Sequence, residues 1–253
     1  MFLADYHTHS TFSFDGKDCM ADMLVAAQAA GLDELCVTDH CDMGRQEFPA
    51  KERYEAFWEA RAANKTGVKL LLGIELGEAI HDIERAEASV AACPYDFIIG
   101  SHHALRGERD FYHIRGTTEE EFHLLLIRYF DELLEFAEWG RFDVLGHIDY
   151  PLRYCGHTIN LLPRYETELR ALFTLMASKG LGMEMNMSKG VMPDPALFAL
   201  YRQCGGEIIT IGSDAHSAAA VGGHIADGIE MCRRAGFGAV AAFERRKVRY
   251  EKI

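Results

Sequence analysis

Short apolar runs alternate with longer amphipathic stretches along the chain. Seven runs, several rich in Val or Ile and each near a turn signal or a polar residue, predict buried strands over 2–6, 35–38, 69–74, 97–100, 144–146, 181–185 and 208–212. Between them, apolar residues at helical spacing predict helices over 20–30, about 51–65, about 83–92, 119–139, 164–179 and 193–204. This alternation indicates βαβ units and a parallel sheet that is covered on both faces.

Polar side chains follow almost every predicted strand. In chain order they are His7 and His9, Asp39 and His40, Glu75, Ser101 and His102, His147, Asn186, and Asp214 and His216. In a parallel barrel the carboxyl ends of the strands meet at one mouth, whereas an open sheet gathers ligands only at its switch point. The pattern therefore favours a barrel. Because no linker, low-complexity tract or repeat divides the sequence, we expect residues 1–253 to form a single domain.

Composition restricts the partners. The 253 residues include 26 Lys and Arg against 39 Asp and Glu, a net charge of −13, which repels a nucleic-acid polymer or an anionic membrane and favours small molecules. Seven cysteines without a CxxC pair indicate neither a disulfide framework nor a cysteine zinc site. The amino terminus lacks a signal-peptide pattern and no run reaches 18 apolar residues, so we expect a cytoplasmic protein. Nothing in the sequence indicates an oligomeric state.

The residues after the strands are typical metal ligands. His7 and His9 lie two apart on an extended segment, where side chains share a face, so both can chelate one ion. TDH, GIE, GSHH, GHID and SDAH follow later strands, and this joint placement indicates more than one ion. Histidine and carboxylate ligands without cysteine suit zinc, manganese or iron. Paired ions can stabilise the attacking and leaving oxygens in phosphoester hydrolysis. Phosphate-binding glycine loops and a GxSxG elbow are absent from the sequence.

The ordered motif set resembles the polymerase and histidinol phosphatase (PHP) superfamily over almost the full length. HTH with a following Asp15, then TDH, GIE, GSHH, GHID and SDAHS, carry the resemblance. Chain size and the SFDG and GSHH contexts are most similar to its monofunctional histidinol-phosphatases. The resemblance implies a distorted (β/α)7 barrel with parallel strands. It also implies a trinuclear metal centre of divalent or transition-metal ions, whose bound hydroxide hydrolyses L-histidinol phosphate in histidine biosynthesis.

The same resemblance implies a ligand set for three ions. The first ion would take His7, His9, Glu75 and Asp214; Glu75 would bridge to a second ion on His102 and His147; and the third would take Asp15, His40 and His216. Glu75, Asp214 and His216 are then the expected catalytic residues. Some superfamily members have histidine at the position of Asp15, and aspartate here favours harder ions such as manganese or iron.

Other residues near these motifs are candidates for substrate binding or support. Arg153 and Lys189 lie where loops cover the mouth, and His103 follows the implied ligand His102; we expect these three residues to bind substrate, with Arg153 as a bidentate phosphate partner. Asp5, Asp39 and Asp149 lie one or two positions from ligand histidines. These three acids could orient imidazoles through hydrogen bonds or could serve as caps and turns.

Three other functions remain open on the sequence. A phosphoesterase of the same superfamily could act on another phosphate monoester or a nucleotide. A barrel with HxH and later His and Asp residues is also similar to the amidohydrolases, which cleave C–N bonds, and Glu75 would then have to serve as the bridging ligand. A metal-binding module without catalysis is disfavoured, because all nine implied ligands are present.

Overall fold

Seven parallel staves, each formed by one strand or by two consecutive strands end to end, make a nearly closed barrel. The computed structural model describes residues 1–45, 48–154, 156, 159–188 and 193–253. The strands are β1 (Ala4–Asp5), β2 (Glu34–Val37), β3 (His40–Asp42), β4 (Lys69–Gly77), β5 (Phe97–Ser101), β6 (Val144–Leu145), β7 (Gly182–Asn186) and β8 (Ile209–Gly212). Their order is β1-β2-β4-β5-β6-β7-β8; β3 also pairs with β4 and so continues the stave of β2. The Tyr6 N–H donates to the Ile211 carbonyl at 3.0 Å and brings β8 back to β1. The predicted distorted (β/α)7 barrel is confirmed.

Helices cover the outside of the barrel. They are α1 (Met20–Ala29), α2 (Ala50–Ala63), α3 (Ile83–Ala91), α4 (Glu119–Trp139), α5 (Glu166–Lys179), α6 (Pro195–Gln203) and α7 (Ile225–Arg234). The six predicted helices are present with small shifts at their ends, and α7 was not predicted. The longest, α4, begins with a reciprocal Thr118–Glu121 capping box and ends at Gly140, whose φ of 64° suits glycine. No described helix is both long and apolar enough to span a membrane.

A carboxy-terminal hairpin that the sequence did not predict packs against the interior of the barrel. Its strands are β9 (Ala239–Glu244) and β10 (Lys247–Lys252). The Phe243 N–H donates to the Tyr6 hydroxyl at 2.7 Å, and the Phe243 ring lies 4.9 Å from that of Phe97. Arg245 and Arg246 form the turn at φ values of 51° and 60°. Hairpins of this kind normally carry Asn or Gly at such positions, so the usual turn signal is missing.

The barrel interior is divided along its axis. Near the hairpin the inward side chains are apolar and include Cys36, Leu71, Phe97 and Val144. Toward the carboxyl ends of the strands the inward positions become polar, as at Glu75 on β4. The inward faces of these strands therefore deliver the polar groups to one mouth, as expected for a parallel barrel.

Candidate metal centre

Glu75 lies at the centre of the mouth with its side chain fully buried. Its Oε1 atom is 2.8 Å from Nε2 of His147 and 3.4 Å from Nε2 of both His7 and His103. The Ser101 hydroxyl donates to the same oxygen at 2.6 Å. One carboxylate oxygen thus faces three imidazoles that come from three separate staves.

The second oxygen of Glu75 faces the other side of the mouth. Oε2 is 2.7 Å from Nδ1 of His40 and 3.7 Å from Nε2 of His9. Asp214 lies beyond these rings, with Oδ1 3.3 Å from Nε2 of His9 and 3.7 Å from Nε2 of His7. Glu75 and Asp214 therefore enclose the HxH pair from two directions.

A more exposed group lies at the rim. Asp15 Oδ2 is 3.2 Å from Nε2 of His216, and Asp15 Oδ1 is 3.6 Å from Nε2 of His40. The imidazole of His9 stacks between the rings of His40 and His216, with centroid distances of 4.2 and 4.1 Å. The structure thus brings the predicted set Asp15, His40 and His216 together beside the buried group.

His102 does not join this centre, which corrects the predicted ligand set. Its Nε2 atom lies 2.9 Å from Oε2 of Glu132 on α4, and its ring stacks on Tyr129 with a centroid distance of 5.7 Å. His103, which we expected to bind substrate, instead faces Glu75. The structure therefore offers the second histidine of GSHH, and not the first, as a ligand.

Strand alternation explains this exchange. The Ser101 side chain points inward to Glu75, whereas a Cβ on Gly100 would lie 2.9 Å from the Phe136 ring of α4. Side chains along an extended segment alternate between the two faces. Position 102 therefore shares the outward face with Gly100, and position 103 shares the inward face with Ser101.

The donor set of the mouth fits metal ions. Buried ring nitrogens without a hydrogen-bond partner in the described part of the chain include His7 Nε2, His9 Nε2 and His147 Nδ1. Leaving such atoms unpaired is costly. Ligand-type atoms lie within 4.8 Å of one another in the overlapping groups His7–Glu75–His147, His7–His9–Asp214 and His9–His40–His216. Imidazole and carboxylate donors suit zinc, manganese or iron.

Two of these groups, His9 and Glu75, are in the protonation state that metal coordination requires. Burial lowers the pKa of His9 to about 3, so this imidazole is neutral and its lone pair can coordinate. Burial by itself would raise the pKa of Glu75, but His40 and His7 outweigh it and hold that pKa well below its usual value. Glu75 is therefore ionised at neutral pH.

Glu184 supports the centre and was missed in the sequence. From β7 its Oε1 atom lies 2.6 Å from Nδ1 of His7, while Oε2 accepts a hydrogen bond from the backbone N–H of His147 at 3.0 Å. A Cβ at Gly212 would lie 2.5 Å from the same carboxylate, so glycine is needed there. A carboxylate on one ring nitrogen fixes the orientation of a ligand histidine. The available signal was a glutamate at an inward position of a buried strand.

Asp39 acts on His9 through a serine. Its Oδ1 atom accepts from the Ser10 N–H at 2.6 Å and from the Ser13 hydroxyl at 3.0 Å. The Ser13 oxygen lies 3.1 Å from Nδ1 of His9. On the other side, buried Arg53 on α2 donates from Nε to Asp39 Oδ2 at 2.5 Å. This network holds the loop that follows the HxH pair.

We expect Arg53→Met to lower the free energy of unfolding by about 3–5 kcal/mol, because Asp39 would remain buried without its cation. Urea unfolding at pH 7 measures this, with exposed Arg61→Met on the same helix as the control. Burial by itself would raise the pKa of Asp39, but Arg53 outweighs it and lowers that pKa below 3.8. The pair therefore stabilises the fold above about pH 4 and loses this effect in acid. A deficit that does not shrink in acid would contradict the assignment.

In the described ranges, the other two supporting acids have no hydrogen bond or ion pair with an imidazole. Asp5 accepts the N–H groups of Ser213 and Gly222, each at 2.9 Å, and so fixes the loop that carries Asp214. Asp149 pairs with Arg153 at 3.0 Å. Both acids stabilise backbone or a neighbouring cation and do not orient a ligand ring.

The predicted phosphate partners differ in placement. Arg153 donates to Asn186 Oδ1 at 3.1 Å and lies 4.0 Å from Asp214 Oδ2, but it lines a separate cavity of about 220 Å³. Lys189 lies outside the described residues. The mouth itself opens into a cavity of about 790 Å³. Within the described ranges, the lysine and arginine side chains that line it are Lys17 and Arg45, which the sequence did not single out.

A parallel barrel whose mouth gathers histidines and carboxylates from most of its strands defines a metal-dependent hydrolase of barrel fold. Residues 5–188 match the PHP domain model, and the chain belongs to this family. The resemblance drawn from the motifs is confirmed.

Individual relatives cover nearly the whole chain. The chain is 27% identical to the histidinol-phosphatase of Lactococcus lactis, over 96% of this chain and 95% of that protein. It is 30% identical to a probable histidinol-phosphatase of Deinococcus radiodurans, over 97% and 98%. A crystal structure of the Lactococcus lactis histidinol phosphate phosphatase with zinc, L-histidinol and phosphate aligns with a TM-score of 0.82 at 27% identity and covers 98% of both chains.

Proposed function

We propose that the protein is a metal-dependent phosphatase that hydrolyses L-histidinol phosphate to L-histidinol and phosphate in histidine biosynthesis, in the cytoplasm. The observation that carries this proposal is the buried Glu75 carboxylate, whose two oxygens face histidines from opposite sides. The zinc, L-histidinol and phosphate bound by the Lactococcus lactis relative support the substrate. We propose residues 1–253 as one functional unit.

The proposed centre holds three ions of zinc, manganese or iron. One ion would bind His7, His9, Glu75 and Asp214; one would bind Glu75, His103 and His147; and one would bind Asp15, His40 and His216. Bound ions would supply positive charge for phosphate oxygens and lower the pKa of water. His103 replaces His102 in this set because it faces Glu75.

The chain's own groups orient and hold this centre. Glu184 takes the Nδ1 side of His7 and leaves Nε2 toward Glu75. Asp214 and His216 line the cavity that would receive the phosphate ester, and Lys17 and Arg45 line it as cations. We propose that Arg153 contributes positive charge for the phosphate near Asp214 and that Lys189 also binds the phosphate.

Phosphate release tests the proposal. Purified protein loaded with zinc, manganese or iron should hydrolyse histidinol phosphate faster than nucleotides or a generic aryl phosphate, with metal content measured on the same samples. Faster release from a nucleotide would favour another phosphoesterase. Hydrolysis of an amide or lactam without phosphatase activity would favour an amidohydrolase. Fewer than two ions per chain and no hydrolysis would indicate a module without catalysis.

A further inference from the structure

One wall of the mouth cavity carries more acid than base. Arg45 lies between two carboxylates, with its Nε 2.9 Å from Oδ2 of Asp42 and its Nη2 3.4 Å from Oδ2 of Asp110. All three side chains line the cavity of about 790 Å³. Two carboxylates share one guanidinium, and the closer contact belongs to Asp42. Asp110 therefore keeps much of its negative charge.

The hydrogen bonds of Asp110 leave room for a ligand. Its Oδ1 atom accepts from the Tyr112 N–H at 2.8 Å and from the Tyr150 hydroxyl at 2.9 Å. Both of these donors are neutral, and among the residues that the structure describes Oδ2 has only the long contact with Arg45. A carboxylate has about four acceptor positions. At least one position on Oδ2 is thus available to a donor in the cavity.

Tyr150 connects this wall to the proposed metal centre. Its ring centroid lies 4.8 Å from that of His103 and 5.1 Å from that of His147, and its hydroxyl contacts Asp110. A group esterified to a phosphate beside His103 and His147 would extend along the Tyr150 ring. Asp110 lies at the far end of that ring, where the leaving group would end.

The aromatic rings of this wall already contact a cation, Arg115, which is not itself a lining residue of the cavity. The Arg115 guanidinium lies over the ring of Tyr112 at 5.5 Å and over the ring of Tyr154 at 5.9 Å. Aromatic faces attract cations through their quadrupoles. Tyr154 also packs against Tyr150, with ring centroids 5.1 Å apart. The aromatic surface that surrounds Asp110 is therefore suited to positive charge.

We infer that Asp110, with Tyr150 and Tyr154, forms a subsite for a positively charged leaving group, such as an alkylammonium or imidazolium. The inference rests on the proposed phosphatase function and specifies how that site would select its substrate. Asp110 binds the cationic end of the ester and does not take part in bond cleavage. Its removal should weaken binding of cationic esters and leave neutral esters unaffected.

A matched pair of esters tests the subsite. Ethanolamine phosphate and propyl phosphate differ by an ammonium in place of a methyl group. The metal-loaded wild type should prefer the ammonium ester, and Asp110→Asn should reduce that preference in kcat/KM by about tenfold, mainly through KM. Propyl phosphate should be unaffected within about twofold. Exposed Asp131→Asn on α4 is the matched control and should keep the preference.

Binding of L-histidinol, measured by calorimetry on the metal-loaded protein, gives a second readout that requires no turnover. Its affinity should fall by about tenfold in Asp110→Asn. Hydrolysis of both esters without preference in the wild type would overturn the subsite and leave the phosphatase function standing. Equal losses on both esters in Asp110→Asn would show that Asp110 only holds the wall. If histidinol phosphate is not hydrolysed either, the phosphatase proposal fails, and unchanged histidinol binding in Asp110→Asn would overturn the subsite by itself.

Discussion

Glu75→Ala should release two ions at once and lower phosphate release by about a thousandfold or more, equivalent to about 4 kcal/mol of transition-state stabilisation. The reason is that both carboxylate oxygens are engaged. Oε1 faces His147 of one proposed ligand set, and Oε2 faces His9 of the other. Loss of one shared ligand would weaken two binding positions together. Metal analysis per chain after gel filtration, with phosphate release on the same sample, measures both effects.

A second substitution at Glu75 distinguishes loss of charge from loss of side-chain volume, and a variant elsewhere serves as its control. Glu75→Gln keeps the size of the side chain but removes its charge, and it should also lose metal. Glu132→Gln is the matched control, because Glu132 is a buried glutamate that contacts His102 outside the centre. It should retain full metal content. Unchanged metal content in Glu75→Ala would contradict the bridging role.

The strand-end pattern was sufficient to predict the barrel and most of the residues at its mouth. Glu75 and His147 each follow an apolar run, and a parallel barrel brings such positions together. These residues could be predicted because each one directly follows its own strand in the sequence, so no contact between distant residues had to be known. The hairpin after α7 was missed because Arg245 and Arg246 replace the usual turn residues.

Support for the centre was harder to predict because it depends on contacts distant in sequence. Glu184 contacts His7, which lies 177 positions earlier in the sequence, and no local sequence pattern predicts that contact. Asp39 is adjacent in sequence to His40, yet it acts through Ser13 on His9. Only the folded barrel determines which of two nearby rings a carboxylate meets.

The sequence contains a pattern that predicts His103 and not His102 as the ligand, although the GSHH motif alone does not distinguish the two. Gly100 and Ser101 lie at the end of β5, and their faces fix those of the next two residues when the extended course continues. The GSHH motif was assigned by its first histidine without regard to this alternation. Counting inward positions from Phe97 would have selected position 103.

Substitution of the two adjacent histidines provides the sharpest test of that correction. His103→Gln should lower phosphate release by about a hundredfold or more, equivalent to about 2.7 kcal/mol, and reduce metal content. Its Nε2 faces Glu75 and lies at the mouth, so its loss removes a proposed ligand. His102→Gln should retain the metal content of the wild type. Its Nε2 faces Glu132, and its loss disturbs packing between β5 and α4.

The two variants should therefore differ in the property that changes, which is metal content in His103→Gln and stability in His102→Gln. His102→Gln places an amide where the imidazole donated to Glu132, but it loses the ring that stacks on Tyr129, so the free energy of unfolding should fall by about 1–3 kcal/mol. Chemical unfolding and metal analysis on both proteins distinguish stability from ligation. A His102→Gln protein that lost metal while His103→Gln kept it would restore the assignment that the motif first indicated. We expect instead that His103→Gln loses metal and His102→Gln keeps it. Side chains alternate along β5, and only one of two consecutive side chains can face the interior of a barrel.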